Sequence, residues 1–252
     1  MRGVVLMKKY GKSLFCALTV LVLSLMMLQP ASAATDLKKA KTISLDKNYT
    51  GKLTVSNYEQ AFKVKLKKSG NLKVSVKTYK SRSWFVEVLD SKGKRLDDYY
   101  TQTKDGTETN EIGLKKGTYY IVISGNTNKS YKIKAKFKAS EYYERESNNT
   151  VKTANSIKIG KNYYGALQEF TDHDYMKFSV KKKRKVTITY NNTPKEQRDI
   201  SIVNAKGKEY KKVYTDYNVK KPSTSSFSIS LPKGTYYVLV RYGSGAYKIK
   251  VK

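Results

Sequence analysis

Two short stretches hold the side chains best suited to coordination chemistry. Glu144-Arg-Glu146 and Asp172-His-Asp174 carry four of only 20 acidic residues in a 252-residue chain that also has 51 Lys plus Arg. Folded together, four carboxylates repel one another unless a cation or basic partners sit among them. Calcium takes six to eight oxygens, and carboxylates and amide carbonyls share that work. Two readings follow: a cation centre, or a surface cluster paired with nearby lysines. Zinc is disfavoured, because His173 is the only histidine and alternates out from the two aspartates.

No other constellation suggests catalysis. No serine sits in a Gly-x-Ser-x-Gly turn. Cys16, the single cysteine, lies in an apolar leader. A glycosidase needs carboxylates paired across a cleft, and the one dense carboxylate group is the candidate cation centre. The chain therefore reads as a non-enzyme.

The leader spans residues 1–33. Arg2, Lys8, Lys9 and Lys12 precede the apolar run Leu14–Leu28, and Ala31-Ser-Ala33 offers a cleavage site. The run is short for a membrane span, which needs about 20 residues. A signal peptide is the expectation, with no transmembrane segment once it is removed. Met1 and Met7 are both possible starts. The exported chain then has no cysteine and no disulfide. Without the four basic residues of the leader it keeps 47 Lys plus Arg against 20 Asp plus Glu, a net of +27. Its lysines lie along polar strand faces, which favours attraction to an extracellular polyanion. No spaced Cys/His motif points to specific nucleic-acid binding.

The elements that must position the acidic residues occur twice. Ile43-Ser-Leu-Asp-Lys-Asn-Tyr-Thr-Gly51-Lys-Leu53 returns 114 residues later as Ile157-Lys-Ile-Gly-Lys-Asn-Tyr-Tyr-Gly165-Ala-Leu167. Leu114-Lys-Lys-Gly117-Thr-Tyr-Tyr returns as Leu231-Pro-Lys-Gly234-Thr-Tyr-Tyr. A period this long is domain-sized. Alternation such as Phe62-Lys-Val64-Lys-Leu66 and Met176-Lys-Phe178-Ser-Val180 marks strands with one wet face. Asp90-Ser-Lys-Gly93-Lys and Asn204-Ala-Lys-Gly207-Lys read as turns. Seven or eight short strands per repeat predict an all-β chain of two sandwiches. Asn149–Ser156 is a candidate short helical turn. Thr101–Asn110 and Val213–Ser225 break the alternation and are expected to be mobile.

These landmarks, in their order and spacing, resemble the bacterial pre-peptidase C-terminal domain, a family that includes collagen-binding domains of clostridial collagenases. The resemblance covers 144–252 well and 36–138 more loosely. It implies tandem jelly-roll-like β-sandwiches, non-catalytic and able to bind calcium. The expected layout is a signal peptide at 1–33, a first sandwich at 36–138 without a metal site, a linker at 139–143 and a second sandwich at 144–252. Carried over by position, the family's calcium ligands fall on Glu144, Glu146, Asn148, Asn149, Asp172 and Asp174. Asn149 stands where the family has Asp. In the first repeat Tyr58-Glu-Gln60 takes the place of Asp172-His-Asp174. The resulting expectation is a secreted or wall-associated binding module for a wall polymer, matrix protein or other polyanion. A targeting, folding or regulatory partner of a separately encoded secreted protease is the alternative.

Overall fold

In the computed structural model the described residues are 36–80, 83–125, 128–168 and 170–252. The leader, Cys16 and both candidate starts lie outside them. Nine strands form a first sandwich: β1 (Lys41–Thr42), β2 (Asn48–Lys52), β3 (Glu59–Leu66), β4 (Gly70–Thr78), β5 (Phe85–Leu89), β6 (Arg95–Tyr100), β7 (Thr107–Leu114), β8 (Gly117–Ser124) and β9 (Ser130–Ala139). Nine more form a second: β10 (Asn155–Ser156), β11 (Asn162–Leu167), β12 (His173–Val180), β13 (Arg184–Asn192), β14 (Asp199–Asn204), β15 (Glu209–Tyr214), β16 (Ser223–Leu231), β17 (Gly234–Arg241) and β18 (Gly245–Val251).

The topology repeats strand for strand. Order β1-β3-β8-β5-β6 faces β2-β9-β4-β7, and order β10-β12-β17-β14-β15 faces β11-β18-β13-β16. Each strand of the second sandwich carries the number of its first-sandwich counterpart plus nine. The short edge strands β1 and β10 run parallel to β3 and β12, pairing Lys41 with Phe62 and Asn155 with Met176. Even the register shifts recur, at Val88/Leu89 and at Ile202/Val203.

Alternation explains the cores. Val64, Leu66, Leu72, Val74, Val76, Ile121, Ile123 and Ile133 fill the first, and Met176, Phe178, Val186, Ile188, Val238, Val240 and Ile249 the second. Each fully buried aliphatic side chain contributes about 1.5–3 kcal/mol relative to exposure. The landmark glycines have a packing cause. Gly51 lies directly opposite Tyr131 and Gly165 opposite Tyr247. A Cβ on either glycine would enter the tyrosine ring.

The turn expectations hold. The Asp90 side chain accepts from the backbone N–H of Lys92 and Lys94, and Asn204 does the same for Lys206 and Lys208. Three details differ. Each sandwich has nine strands, because the two-residue edge strands are too short to show alternation. Asn149–Ser156 is a turn closed between Thr150 and Thr153 and then strand β10, with no helix. Both segments expected to be mobile loops are partly strand: Thr107–Asn110 belongs to β7, Val213–Tyr214 to β15 and Ser223–Ser225 to β16. In β7 and β16 the alternation is hidden because polar residues occupy both faces. Both sandwiches lie within one compact unit, Leu37–Lys252.

Candidate metal centre

The acidic residues are delivered by one strand and one extended segment. Along β12, Asp174, Met176 and Phe178 point inward, and His173 and Tyr175 point outward and are half-buried. Asp172 lies immediately before the strand. The segment leading into the second sandwich is pinned against β11 and β12 by its backbone. Glu144 N donates to Tyr164 O at 2.8 Å, Tyr164 N to Tyr142 O at 2.9 Å, and Tyr175 N to Asn148 O at 3.1 Å. Alternate side chains of this segment turn inward: Glu144, Glu146 and Asn148 are buried, whereas Arg145 and Ser147 are half-buried.

Glu144, Glu146 and Asp174 each present an oxygen within 4.8 Å of the others. Among the described residues theirs is the one such group of three or more. Part of their hydrogen-bonding capacity is met locally. Asn148 Nδ2 donates to Glu144 Oε2 at 3.1 Å, Ala166 N to Glu144 Oε1 at 3.4 Å and Asn148 N to Glu146 Oε2 at 3.3 Å. The Tyr247 hydroxyl donates to Asp174 Oδ2 at 2.6 Å. Asp172 sits at the margin, accepting from Asn149 Nδ2 and Gln168 N, each at 3.0 Å. Asn149 is exposed and gives its amide to Asp172.

Three buried oxygens are left over. Glu146 Oε1, Asn148 Oδ1 and Asp174 Oδ1 have no hydrogen-bond partner. Buried polar atoms in folded proteins are nearly always satisfied. The Tyr143 hydroxyl beside the carboxylates is orphaned too, but these three are acceptors, the kind of atom a cation satisfies. The donor set is oxygen only, two carboxylates and an amide, which suits a hard cation such as calcium. Asn148 is thus a candidate ligand through its amide oxygen.

Without a cation the charges are costly. Burial, then Asp174 and the other carboxylates, raises the Glu144 carboxyl well above its ordinary range. Asp174 is raised in the same way, by burial and then Asp172. Glu146 is pushed up to about 8, first by burial and then by Asp172. The pairing with lysines expected for a surface cluster is not seen: no ion pair among the described residues reaches Glu144, Glu146 or Asp174.

At the matching positions of the first sandwich other side chains stand. Tyr58 is exposed, and Gln60 Nε2 donates to Ala61 O at 3.2 Å. His173 packs edge-on to Tyr242, with ring centroids 5.5 Å apart. Two contributions were missed from sequence. Tyr247 holds Asp174, which the repeated Gly/Tyr landmark could have suggested. The other comes from the first sandwich. Glu146 N donates to Gly113 O at 2.9 Å, and Gln168 Nε2 to Glu111 O at 3.2 Å.

No family model and no curated protein matches the chain. Among solved structures it is similar to the pre-peptidase C-terminal domain of a Bacillus anthracis collagenase, at 17% identity over 39% of this chain and 95% of that one, with a TM-score of 0.34. It is also similar to the N-terminal CBM22 tandem of Paenibacillus barcinonensis Xyn10C, at 10% identity over 81% and 84% of the two chains and a TM-score of 0.26. A third similarity is to the ANX2 ectodomain of Arabidopsis thaliana, at 8% identity over 81% and 83% and a TM-score of 0.27. None of these likenesses assigns this chain a ligand or an activity.

Proposed function

We propose that this chain is a secreted, non-catalytic binding protein of two pre-peptidase-C-terminal-like modules, 36–138 and 144–252 joined at 139–143, with calcium held by the second. The observation that carries the calcium reading is the trio of orphaned buried oxygens on Glu146, Asn148 and Asp174. Glu144 and Asp172 would complete the set. Calcium here would neutralise the buried carboxylates and fasten the Glu144–Asn149 segment onto β11 and β12. Calorimetric titration with calcium chloride tests this. One site is expected. No heat and no melting shift at millimolar calcium would end the assignment, as would an undiminished signal after Asp172→Ala with Asp174→Ala.

Binding to an acidic extracellular polymer is the second part of the reading. Its support is the basic excess and the lysines set over tyrosine rings on strand surfaces, among them Lys212 over Tyr214 and Lys248 over Tyr164. Tyrosine offers apolar area with a polar tip, and lysine the charge. Retention on teichoic polymer, heparin or collagen at low salt should collapse by about 0.5 M salt through screening. Retention that survives high salt on a secreted protease would favour the protease-partner alternative instead.

A further inference from the structure

Gly113 is an anomaly in its own strand. In β7, Ile112 and Leu114 point into the first core, so residue 113 faces outward, yet it is buried. Its counterpart in the second sandwich is Ser230. Gly113 pairs with Asn71 on β4 and Ser230 with Lys185 on β13, and each is followed by a buried leucine. Ser230 is exposed. Glycine inside a strand marks close approach by another backbone, and here that backbone is the metal segment. A Cβ on Gly113 would collide with the backbone carbonyl and a carboxylate oxygen of Glu144.

The contact is built from both sides. Beyond the Glu146–Gly113 and Gln168–Glu111 hydrogen bonds, a polar crevice of about 100 Å³ is lined by Arg95, Asp97 and Asp98 of β6 together with Asn149, Gln168 and Asp172. The segment bearing Glu144 and Glu146 is therefore held between β7 of one sandwich and β11 of the other. If its carboxylates repel and the segment lifts, the Glu146–Gly113 hydrogen bond is lost with it.

Resting on the cation reading above, we propose that Gly113 is a positioning residue for the centre in the other sandwich, so that cation binding and docking of the two sandwiches are one linked equilibrium. Such coupling is reciprocal: whatever loosens docking weakens cation binding by the same factor.

The test uses the exported chain with calcium chloride as the probe. Kd is read by calorimetry, melting is read in chelator and in calcium, and dimensions are read by small-angle scattering. Gly113→Ala should raise Kd about tenfold or more, the range seen when groups that orient ligands are removed. Its melting should rise less on calcium addition than that of wild type. Wild type should contract on calcium addition and Gly113→Ala should not. Ser230→Ala, at the equivalent uncovered position, should leave Kd unchanged. Gln168→Ala perturbs the same contact from the other side and should also raise Kd, which keeps the test intact if Gly113→Ala folds poorly. Wild-type binding with Kd unchanged within twofold in both variants overturns the coupling alone. No calcium binding by wild type overturns the centre and the coupling together.

Discussion

Replacing Glu146 by Gln should stabilise the cation-free protein and abolish its response to calcium. In the folded state the Glu146 carboxyl is pushed up to about 8 from an ordinary value of 4.5, by burial first and Asp172 second. A carboxyl raised in the folded state retains a proton that the unfolded chain has released. Stability therefore falls as pH rises from about 4.5 to about 8, opposite to the usual acidic residue. At pH 7 the gap is roughly 2.5 units, or about 3 kcal/mol at 1.36 kcal/mol per unit. Glutamine is nearly isosteric, needs no proton, keeps an acceptor for Asn148 N and turns an N–H toward neighbouring carboxylates. If Leu37–Lys252 melts as one unit, the gain corresponds to about 6–12 °C. The assay is differential scanning calorimetry in chelator at pH 5 and pH 8, then in millimolar calcium. The variant should melt well above wild type at pH 8, with a smaller gap at pH 5. Calcium should raise wild type and leave the variant unmoved. A variant less stable than wild type in chelator at pH 8 would refute the account of the buried charges. A retained calcium shift would refute the ligand role of Glu146.

Two further substitutions separate the sandwiches. Gly51→Ala drives a methyl into the Tyr131 ring and should cost about 1–3 kcal/mol of overpacking in the first sandwich, seen as an earlier emission shift of Trp84, the sole tryptophan, whose ring lies 5.4 Å from that of Tyr131; Gly165→Ala makes the same collision with Tyr247 but also strikes Glu144, so it alone should weaken calcium binding. Arg198 is buried, donating to Ser244 O through Nε at 3.1 Å and Nη2 at 2.6 Å, and is paired with Glu196. Arg198→Met should cost about 1.5–3 kcal/mol in urea titration, the net worth of hydrogen bonds made by a charged group, because the partly exposed Glu196 can turn to water; a loss near zero would show that water replaces the arginine at the exposed Ser244.

The strands were legible because burial on one face writes itself into the chain with period two. Phe62-Lys-Val64-Lys-Leu66 could be placed without any partner strand in view. Duplication added a second reading of the same fold, so landmarks such as Gly51 and Gly165 stood out before their tyrosine partners were known. Legibility failed where composition hides the period. Thr107–Asn110 and Ser223–Ser225 are polar on both faces, so strand and loop read alike. It failed again at β1 and β10, whose two residues are too few to alternate.

The acidic site was legible as a set of residue types and less so as an arrangement. Charge scarcity singled out Glu144, Glu146, Asp172 and Asp174, but only the fold shows which of them gather their oxygens, Glu144, Glu146 and Asp174, with Asp172 buried beside them and Asn149 exposed. Orphaned oxygens are a property of three-dimensional accounting, and no sequence pattern lists them. The contribution of the first sandwich lay further out of reach. A glycine in a β-strand has several explanations, and only comparison with Ser230 isolates the one that applies here. The two positions share strand, register and a buried leucine neighbour, so the sandwich fold itself does not require glycine. What differs is the cover: the Glu144 segment lies over Gly113, while Ser230 is exposed. The glycine therefore belongs to the joint between the sandwiches, and the joint is made by the same residues that gather the carboxylates.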